Sequence, residues 1–473
     1  MSPERTLIRN ATVVTMDDEL GDLDRADILV EGTKIAAVAP YLGVEGARII
    51  DADGFIVVPG FVNTHLHTWQ HALRGVCADW TVKGYVRCWR VHLGPMYRPQ
   101  DMRAGNYVGA LDALNAGVTL IVDYCHNVVT PDHAYAALEG LRAAGGRALF
   151  GLGYTPVLSH GFAELPETEN LAFPDHASRV AFAHRLAGEQ FSSKDGLVTL
   201  AIVPQEIEIA EWDEVVAEFQ SARDLDARIT IHANQVLAHE RWHDIDRLHR
   251  AGLLADDTIF VHCTFSSDDE FRLLGEAGAS VSVAVETEMQ MGMGYPATGR
   301  CLEHGVTPSL GVDITSNSSG DMFAQMRLAL QVGRMLGDER FYRETSMPED
   351  VTYTTRDALA WATIDGARAA GLDDKVGSIT PGKEADLVLI DANAFNLLGW
   401  NRREPTGAVV LHAHPGNVDT VLVGGRIVKR GGELVHVDVA AARRELESSH
   451  AYVDDWAQEH GGLIPQPPIA LSF

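Results

Sequence analysis

With 473 residues, the chain is longer than one hydrophobic core usually serves, so we expect a large domain with a smaller companion. Hydrophobic residues make up 46% of the sequence and charged residues 22%, which excludes long disordered stretches. A formal charge of −28, spread along the chain, excludes binding to nucleic acid or to an anionic membrane, and either serves solubility or attracts a cationic substrate.

The two ends of the chain share one β-rich pattern. Short β-branched runs split by Gly and Asp fill the N-terminal part, and similar runs return at 385–391 and 419–429. This predicts one small β-sandwich built from both termini, residues 1–58 plus 376–473 with a C-terminal tail, beside a central domain at 59–375.

We find no targeting signal in the sequence. The N-terminus has no basic region followed by an apolar run, and no stretch reaches about 18 uninterrupted apolar residues. The five cysteines lack C-x-x-C spacing. We therefore expect a cytoplasmic protein with reduced, mostly buried thiols.

The central domain repeats a buried apolar strand followed by a helix-like segment rich in Ala, Leu, Glu and Arg. Eight strands are predicted, at 57–67, 117–126, 147–156, 198–207, 227–235, 257–265, 280–286 and 307–317. Nearly continuous apolar character is typical of parallel strands covered on both faces, so the sequence predicts an α/β fold, a (β/α)8 TIM barrel. A doubly wound open sheet is the competing fold, but no Gly-rich phosphate loop follows the first strand. The long connections at 68–116 and 157–197 are expected to carry substrate loops.

Histidine and aspartate residues end four of these strands. His65 and His67 close the first strand, where alternation directs both imidazoles to one face. This pair alone is a weak signal, but His232, His262 and Asp313 end the fifth, sixth and eighth strands. Because barrel enzymes place their active sites at the C-terminal ends of the strands, these residues predict a metal site at the barrel mouth.

Three stretches carry a family pattern. They are Pro59-Gly-Phe-Val-Asn-Thr-His-Leu-His, Gly382-Lys-Glu-Ala-Asp-Leu-Val-Leu-Ile-Asp and Val421-Leu-Val-Gly-Gly-Arg. The pattern resembles the amidohydrolase superfamily, in particular its branch of triazine, phenylurea and molinate hydrolases and of purine or cytosine deaminases. The resemblance spans essentially the whole chain.

The resemblance implies that His65, His67, His232 and Asp313 bind one divalent metal ion per subunit, with His262 beside the metal-bound water. Zinc is the first expectation, with iron, cobalt or manganese as alternatives for this donor set. One ion is preferred over two, because no lysine at the end of strand four is available as a bridging carbamate. The resemblance also implies a homodimer or larger homo-oligomer whose only other partner is a small-molecule substrate.

The fifth strand departs from the family pattern. Relatives typically carry His-x-x-Glu there, and the Glu shuttles a proton to a ring nitrogen of the substrate, whereas this chain carries Gln235. An amide cannot donate and recover a proton as a carboxyl group can. Four acids that follow other strands are candidate replacements, each with a solvated or helix-capping role as its alternative: Glu206, Glu208, Glu286 and Glu288. Glu286 is preferred because it lies directly at the predicted end of strand seven.

Other residues near the mouth are expected to bind the substrate. Trp69 and Gln70 follow the metal pair and suit stacking on, and hydrogen bonding with, a planar ligand. His126 ends strand two and faces the same opening, with a purely structural role as its alternative, and Gln235 is a further candidate. Tyr85, on the first long connection, adds to an apolar wall or belongs to the core.

Together these residues predict hydrolysis of a non-peptide C–N bond, or the C–S bond of a thiocarbamate, in a small, largely apolar amide, urea or carbamate. Metal-bound hydroxide attacks the carbonyl carbon, Asp313 relays the proton and His262 steadies the developing oxyanion, with Glu286 as a third catalytic candidate. The alternative is a deaminase or dechlorinase of a heteroaromatic ring of triazine, purine or pyrimidine type. A barrel that binds a ligand without catalysis is the rival from outside the enzymes.

Overall fold

The computed structural model describes residues 4–155, 173, 175–208, 210–235 and 243–464. Its strands form an eight-stranded parallel sheet, closed into a barrel, and a nine-stranded mixed sheet built from both ends of the chain. The predicted (β/α)8 TIM barrel with a smaller β-domain from the termini is thereby confirmed. Residues 156–172, which include the first part of the second long connection, lie outside the described residues.

The eight barrel strands are short, parallel and almost wholly buried. In chain order they are Phe61–Leu66, Val118–Cys125, Arg147–Gly153, Val198–Val203, Arg228–Ala233, Thr258–His262, Ser280–Val283 and Pro308–Leu310. Each strand pairs with its neighbours in sequence, and a bridge between Leu66 and Asp313 closes the ring. Apolar residues fill these strands because helices cover the outer face and side chains fill the interior.

The stretch predicted as one strand at 57–67 is divided between the two sheets. Phe55–Pro59 belongs to the mixed sheet and Phe61–Leu66 to the barrel, with Gly60 between them. A Cβ atom at Gly60 would lie 2.0 Å from Thr119 Oγ1. The chain therefore crosses from one sheet to the other at a position where only glycine fits.

Strand seven ends earlier than predicted. It stops at Val283, and a short helix, Val285–Gln290, follows almost at once. Glu286 consequently lies in the first turn of a helix and not at a strand terminus. A short apolar run does not distinguish the end of a strand from the start of a helix, which is why periodicity missed the boundary.

Buried hydroxyl groups join strands one, seven and eight inside the barrel. Thr64 Oγ1 lies 2.7 Å from Ser282 Oγ and 2.9 Å from Ser309 Oγ, and donates to Leu310 O at 3.0 Å. These buried groups satisfy their hydrogen-bonding capacity with one another, since water does not reach them. They hold the strand that carries His65 against the strand that leads to Asp313.

The mixed sheet takes five strands from the N-terminal part and four from the C-terminal part. They are Arg5–Val13, Leu23–Glu31, Lys34–Ala39, Arg48–Asp51, Phe55–Pro59, Leu387–Asp391, Val418–Val423, Arg426–Arg430 and Glu433–Leu434. The two parts meet where Phe55–Pro59 pairs antiparallel with Leu387–Asp391. A buried ion pair of 3.0 Å between Arg147 and Asp386 ties this sheet to the third barrel strand.

The α-helices of the described residues cover the barrel and extend its mouth. They are Val82–Tyr85, Pro99–Asn115, Pro131–Ala144, His176–Gln190, Trp212–Asp224, Asp244–Arg250, Asp268–Ala277, Val285–Gln290, Thr298–Glu303, Met322–Gly337, Glu339–Arg343, Thr355–Trp361, Ile364–Ala369, Pro405–Gly407 and Val439–Glu459. Within the described ranges, no helix combines the length and apolar character needed to cross a bilayer. All five cysteines are buried free thiols, as predicted.

The first long connection begins with a segment that we call the mouth loop, residues 68–98. It contains the short helix Val82–Tyr85, which continues into an eight-residue π-helix, Val86–Leu93. A π-helix of this kind is uncommon and is found mostly at functional sites. Its position directly after the His65 and His67 pair places it over the barrel mouth.

Candidate metal centre

Imidazole and carboxylate groups converge at the C-terminal end of the barrel. Nε2 of His65 and Nε2 of His67 each lie 3.2 Å from Asp313 Oδ1, and Nε2 of His232 lies 3.4 Å from Nε2 of His65. His262 Nε2 lies 3.9 Å from the other carboxylate oxygen, Asp313 Oδ2. All five side chains are buried. The structure thus brings together the five residues that the sequence places around a metal.

The second ring nitrogens of two of these histidines are held by acceptors. His67 Nδ1 donates to Tyr124 O at 3.1 Å, and His232 Nδ1 donates to Glu206 Oε1 at 3.0 Å. These acceptors assign the N–H to Nδ1, which leaves a lone pair at Nε2. His65 Nδ1 is buried without a partner.

This donor set fits a divalent cation. Nε2 lone pairs and a carboxylate oxygen that face one another this closely repel unless a cation lies among them. Donor atoms of His65, His67 and Asp313 lie within 4.8 Å of one another, and so do those of His65, His232 and His262. Nitrogen and oxygen ligands in such a cluster suit zinc and the neighbouring transition metals.

Burial and hydrogen bonding set the charge of these groups. Burial lowers the pKa of His65 and of His232 well below the usual imidazole value. Burial alone raises the pKa of Asp313, but the neighbouring imidazoles of His65 and His67 outweigh it and hold the pKa well below its usual range. Neutral imidazoles beside an ionised carboxylate are the forms that bind a metal ion.

Three strand ends at the mouth adopt left-handed backbone conformations. The φ angles are 46° at Asn234, 73° at His262 and 67° at Asp313. Such conformations cost about 1–3 kcal/mol each for a residue other than glycine and cluster at functional sites. Here they turn the chain sharply after the fifth, sixth and eighth strands.

Glu288, and not Glu286, contacts the centre. Glu288 is fully buried, and its Oε1 accepts from His262 Nδ1 at 3.1 Å. The Glu286 carboxylate instead accepts from Ser319 Oγ at 2.9 Å and from Gln325 Nε2 at 3.1 Å. The two acids are two residues apart in a helix, so their side chains point to different faces.

The other acids considered from the sequence surround strands four and five. Glu206 holds His232, and its Oε2 is buried without a partner. Burial raises the pKa of Glu206 to about 7. Burial, together with the neighbouring Asp244, raises the pKa of Glu208 well above its usual range. Gln235, at the position of the family glutamate, is half-buried.

The predicted substrate residues lie around the centre but are engaged with the protein. Trp69 has no exposed surface, and its Nε1 donates to His126 Nδ1 at 3.4 Å. Gln70 Nε2 donates to Tyr85 OH at 2.7 Å, while Gln70 Oε1 is buried without a partner. The His126 ring lies 4.3 Å from the ring of His67. Their roles toward a substrate stay predictions.

Two residues of the centre were missed by sequence reasoning. Tyr124 stacks on His232 with ring centroids 4.2 Å apart, and its hydroxyl accepts from the His232 backbone N–H at 3.3 Å. Alternation offers a signal for it, since Tyr124 lies two residues before His126 near the end of strand two. Arg90, in the mouth loop, donates from Nη1 to His126 O at 3.4 Å. Nothing in its sequence context distinguishes this arginine.

Curated relatives of this chain include deaminases of adenosine derivatives. The chain is 29% identical over 431 residues to a 5'-deoxyadenosine deaminase of Methanothermobacter thermautotrophicus, which covers 88% of this chain and 92% of that protein. It is also 29% identical over 442 residues to a 5-methylthioadenosine/S-adenosylhomocysteine deaminase of Symbiobacterium thermophilum, with 90% and 93% covered.

Solved structures share the fold at lower identity. An adenosine deaminase from Xanthomonas campestris with bound zinc aligns with a TM-score of 0.81 at 22% identity, covering 96% of this chain and 99% of that one. A variant of atrazine chlorohydrolase from Arthrobacter aurescens, complexed with zinc and atraton, aligns with a TM-score of 0.80 at 22% identity, covering 94% and 100%. These likenesses support the barrel with its second sheet.

The sequence profile of the amidohydrolase family matches residues 56–428, which include all eight barrel strands and every residue of the centre. This match confirms the predicted enzyme class, a metal-dependent hydrolase that acts on C–N bonds other than peptide bonds. The chain therefore belongs to the amidohydrolase family.

Proposed function

We propose that this enzyme hydrolyses the C–N bond of a small amide, urea or carbamate, or the C–S bond of a thiocarbamate, at an acyl carbon. The observation that carries this proposal is the buried His262–Glu288 pair, which faces Asp313 across the centre at 3.9 Å. Gln235 offers no proton to a ring nitrogen, whereas an acyl carbon needs none there.

We assign one divalent ion, zinc in the first place, to His65, His67, His232 and Asp313. When bound, such an ion lowers the pKa of its water toward about 7 and polarises a carbonyl oxygen. The chain's own groups then have to orient the substrate and move protons.

Asp313 and His262 divide the proton chemistry. Asp313 Oδ1 faces His65 and His67, so Oδ2 is the oxygen left to take a proton beside His262. Burial disfavours a charged His262, but the hydrogen bond with Glu288 and the charge of Asp313 outweigh it and raise the pKa. A His262 that keeps its Nε2–H can donate to the oxygen that gains charge as the acyl carbon is attacked.

Glu288 supports His262 in this proposal, whereas the sequence favoured Glu286 as a replacement for the missing proton shuttle. The substitution Glu288→Gln removes the carboxylate that holds His262 as a donor, so kcat should fall about 100-fold with unchanged metal content. Glu286→Gln is the matched comparison on the same helix and should change kcat less than about threefold. A larger loss in Glu286→Gln than in Glu288→Gln would restore the original expectation.

The first experiment is elemental analysis of the purified protein, followed by an activity screen over ureas, carbamates, amides and heteroaromatic amines. We expect about one zinc per chain and turnover of an acyl compound that stops on chelation and returns with zinc. Turnover confined to heteroaromatic amines would overturn the acyl assignment.

Deamination of an adenosine-type ring is the second candidate. It is favoured by the relatives that deaminate adenosine derivatives and by Glu206, whose buried Oε2 meets no partner among the described residues and could protonate a ring nitrogen. Ammonia release from 5'-deoxyadenosine and 5-methylthioadenosine tests it. If Gln235 is what limits ring chemistry, Gln235→Glu should raise that release at least about tenfold, and no gain would count against this explanation.

A further inference from the structure

The guanidinium group of Arg90 lies at the barrel mouth without a carboxylate partner in the part of the chain that the structure describes. Arg90 sits in the π-helix Val86–Leu93, and its Nη1 donates to His126 O at 3.4 Å. Among the described residues, no acidic side chain forms an ion pair with it. Arg90 is half-buried, and burial lowers the pKa of its guanidinium group.

The Tyr85 hydroxyl is a second donor beside this group. It accepts from Gln70 Nε2 at 2.7 Å, while its own proton meets no acceptor within the described part of the chain. Burial raises the pKa of Tyr85, and the charge of Arg90 is the strongest influence that opposes the rise. Tyr85 therefore presents a neutral O–H next to a cation.

Glu206, the acid whose charge acts on Arg90, is already engaged with a histidine. Glu206 accepts from His232 Nδ1 at 3.0 Å. Burial raises the pKa of Glu206, and the charge of Arg90 is the strongest influence that opposes the rise. The two groups influence one another through space without forming an ion pair. Within the described ranges, a single carbonyl oxygen accepts from Arg90. An enclosed guanidinium with so few acceptors is costly, and an anion placed against it relieves that cost.

The sign of the charge at this point is opposite to that of the whole molecule. The chain carries a formal charge of −28, and its acidic surface suggested a cationic substrate as one alternative. Arg90 instead offers a planar fork of donors, which matches the two oxygens of a carboxylate.

We propose that Arg90 and Tyr85 bind a carboxylate carried by the substrate, so that the enzyme acts on an N-acyl or N-carbamoyl acid and not on a neutral amide or urea. This inference rests on the proposed acyl hydrolysis and narrows its substrate class. The carboxylate lies against the mouth loop, while the acyl group lies over the centre, between Asp313 and His262.

The test is calorimetric binding of matched probe pairs to the zinc-loaded chain. The pairs are N-benzoylglycine with N-benzoylglycinamide, and N-carbamoylphenylalanine with its amide. At least one carboxylate should bind about 10- to 100-fold more tightly than its amide. Arg90→Met should abolish that preference, Tyr85→Phe should reduce it, and Lys83→Met, which removes an exposed cation from the same segment, should leave it unchanged.

Repeating the titrations after chelation separates this site from the metal. A preference that persists without zinc supports Arg90 and Tyr85, whereas one that disappears with the metal assigns the carboxylate to the metal and overturns the proposal. Equal binding of acid and amide in both pairs also overturns it, as does an undiminished preference in Arg90→Met.

Release of glycine or phenylalanine from the acid probes, and of glycinamide or phenylalaninamide from the amide probes, is measured in parallel. An Arg90-dependent preference without hydrolysis of any acyl compound sustains the anion site and rejects the reaction class. Faster hydrolysis of the neutral amides sustains the reaction class and rejects the anion site.

Discussion

At the scale of single residues, the geometry of the centre depends on groups that do not bind the metal themselves but orient the histidine rings that do. The ring of His67 is oriented by a backbone oxygen of strand two, and that of His232 by Glu206. Nδ1 of His65 has no hydrogen-bond partner among the described residues, so the packing around its side chain has to orient the ring. That space includes Gly311, which lies against His65 on the approach to Asp313.

Gly311→Ala should weaken metal binding. A Cβ atom there would lie 2.8 Å from His65 Cβ and 2.9 Å from Ser282 Oγ, so His65 has to shift. Loss of ligand orientation should lower zinc affinity about 10- to 100-fold, measured by competition with a chelating dye. Gly188→Ala, in the helix His176–Gln190 with nothing near its Cβ position, is the control and should not change the affinity.

At the scale of elements, the mouth loop is held from outside the barrel. The C-terminal helix, Val439–Glu459, places His450 Nδ1 2.8 Å from Ala72 O and directs Tyr452 OH to Met96 O at 3.2 Å. Both contacts reach the backbone of residues 68–98. The last helix therefore stabilises the segment that carries Arg90 and Tyr85.

Lys429 couples the mixed sheet to a barrel helix in a pH-dependent way. Its Nζ donates to Asn115 O at 2.6 Å, and burial lowers the pKa of Lys429 to about 8. Between about pH 8 and the usual lysine pKa near 10.4, the unfolded chain binds a proton that the folded chain lacks. The free energy of unfolding therefore rises with pH across this window. The gain is lost again as the pH falls back to about 8.

Thermal melts of the wild type and of Lys429→Met test this coupling. The Tm difference, wild type minus variant, should be larger at pH 9.5 than at pH 7.5, since the variant cannot titrate at this position. A difference that shrinks with rising pH would show that Lys429 stays charged in the folded protein.

At the scale of the whole molecule, a buried ion pair links the mixed sheet to the barrel. The pair between Arg147 and Asp386 is buried on both sides, and Asp386 also accepts from the Gly424 N–H at 2.7 Å. A buried ion pair contributes little compared with apolar residues of the same volume, but removal of one partner leaves an uncompensated charge.

Removal of one partner should therefore cost more than removal of both. Arg147→Met is expected to lower the free energy of unfolding by about 3–5 kcal/mol, and the double variant with Asp386→Leu should recover part of that loss. Urea unfolding followed by tryptophan fluorescence measures both changes. Additive losses in the double variant would mean that the two charges are solvated independently.

Metal removal should destabilise the fold as well as stop catalysis. The proposed ligands come from strands one and five and from the segment after strand eight, so an ion ties together the two sides at which the ring closes. Chelation should lower Tm by several degrees, because a ligand at 1,000 times its Kd stabilises by about 4 kcal/mol. Zinc should restore the Tm of the wild type but leave that of His232→Ala unchanged.

Much of this architecture could be read from the order of residues. Eight apolar runs sufficed for the barrel, and the four of them that end in His65 and His67, His232, His262 or Asp313 sufficed for the composition of the centre. The reason is local: a strand directs alternate side chains to one face, and parallel strands end at one rim. The domain limits at 1–58, 59–375 and 376–473 and the homo-oligomeric state stay predictions.

Only the tertiary structure decided which neighbouring side chains contact these residues. Glu288 reaches His262 because a helix begins where a strand was predicted to continue, and Arg90 comes to lie beside His126 across a gap of 36 residues. Which atoms meet across such gaps depends on helix phase and loop path, and neither is encoded in a short pattern. The sequence by itself therefore determined the fold and the chemistry available to it, and the packing of distant segments decided which side chains are placed to carry it out.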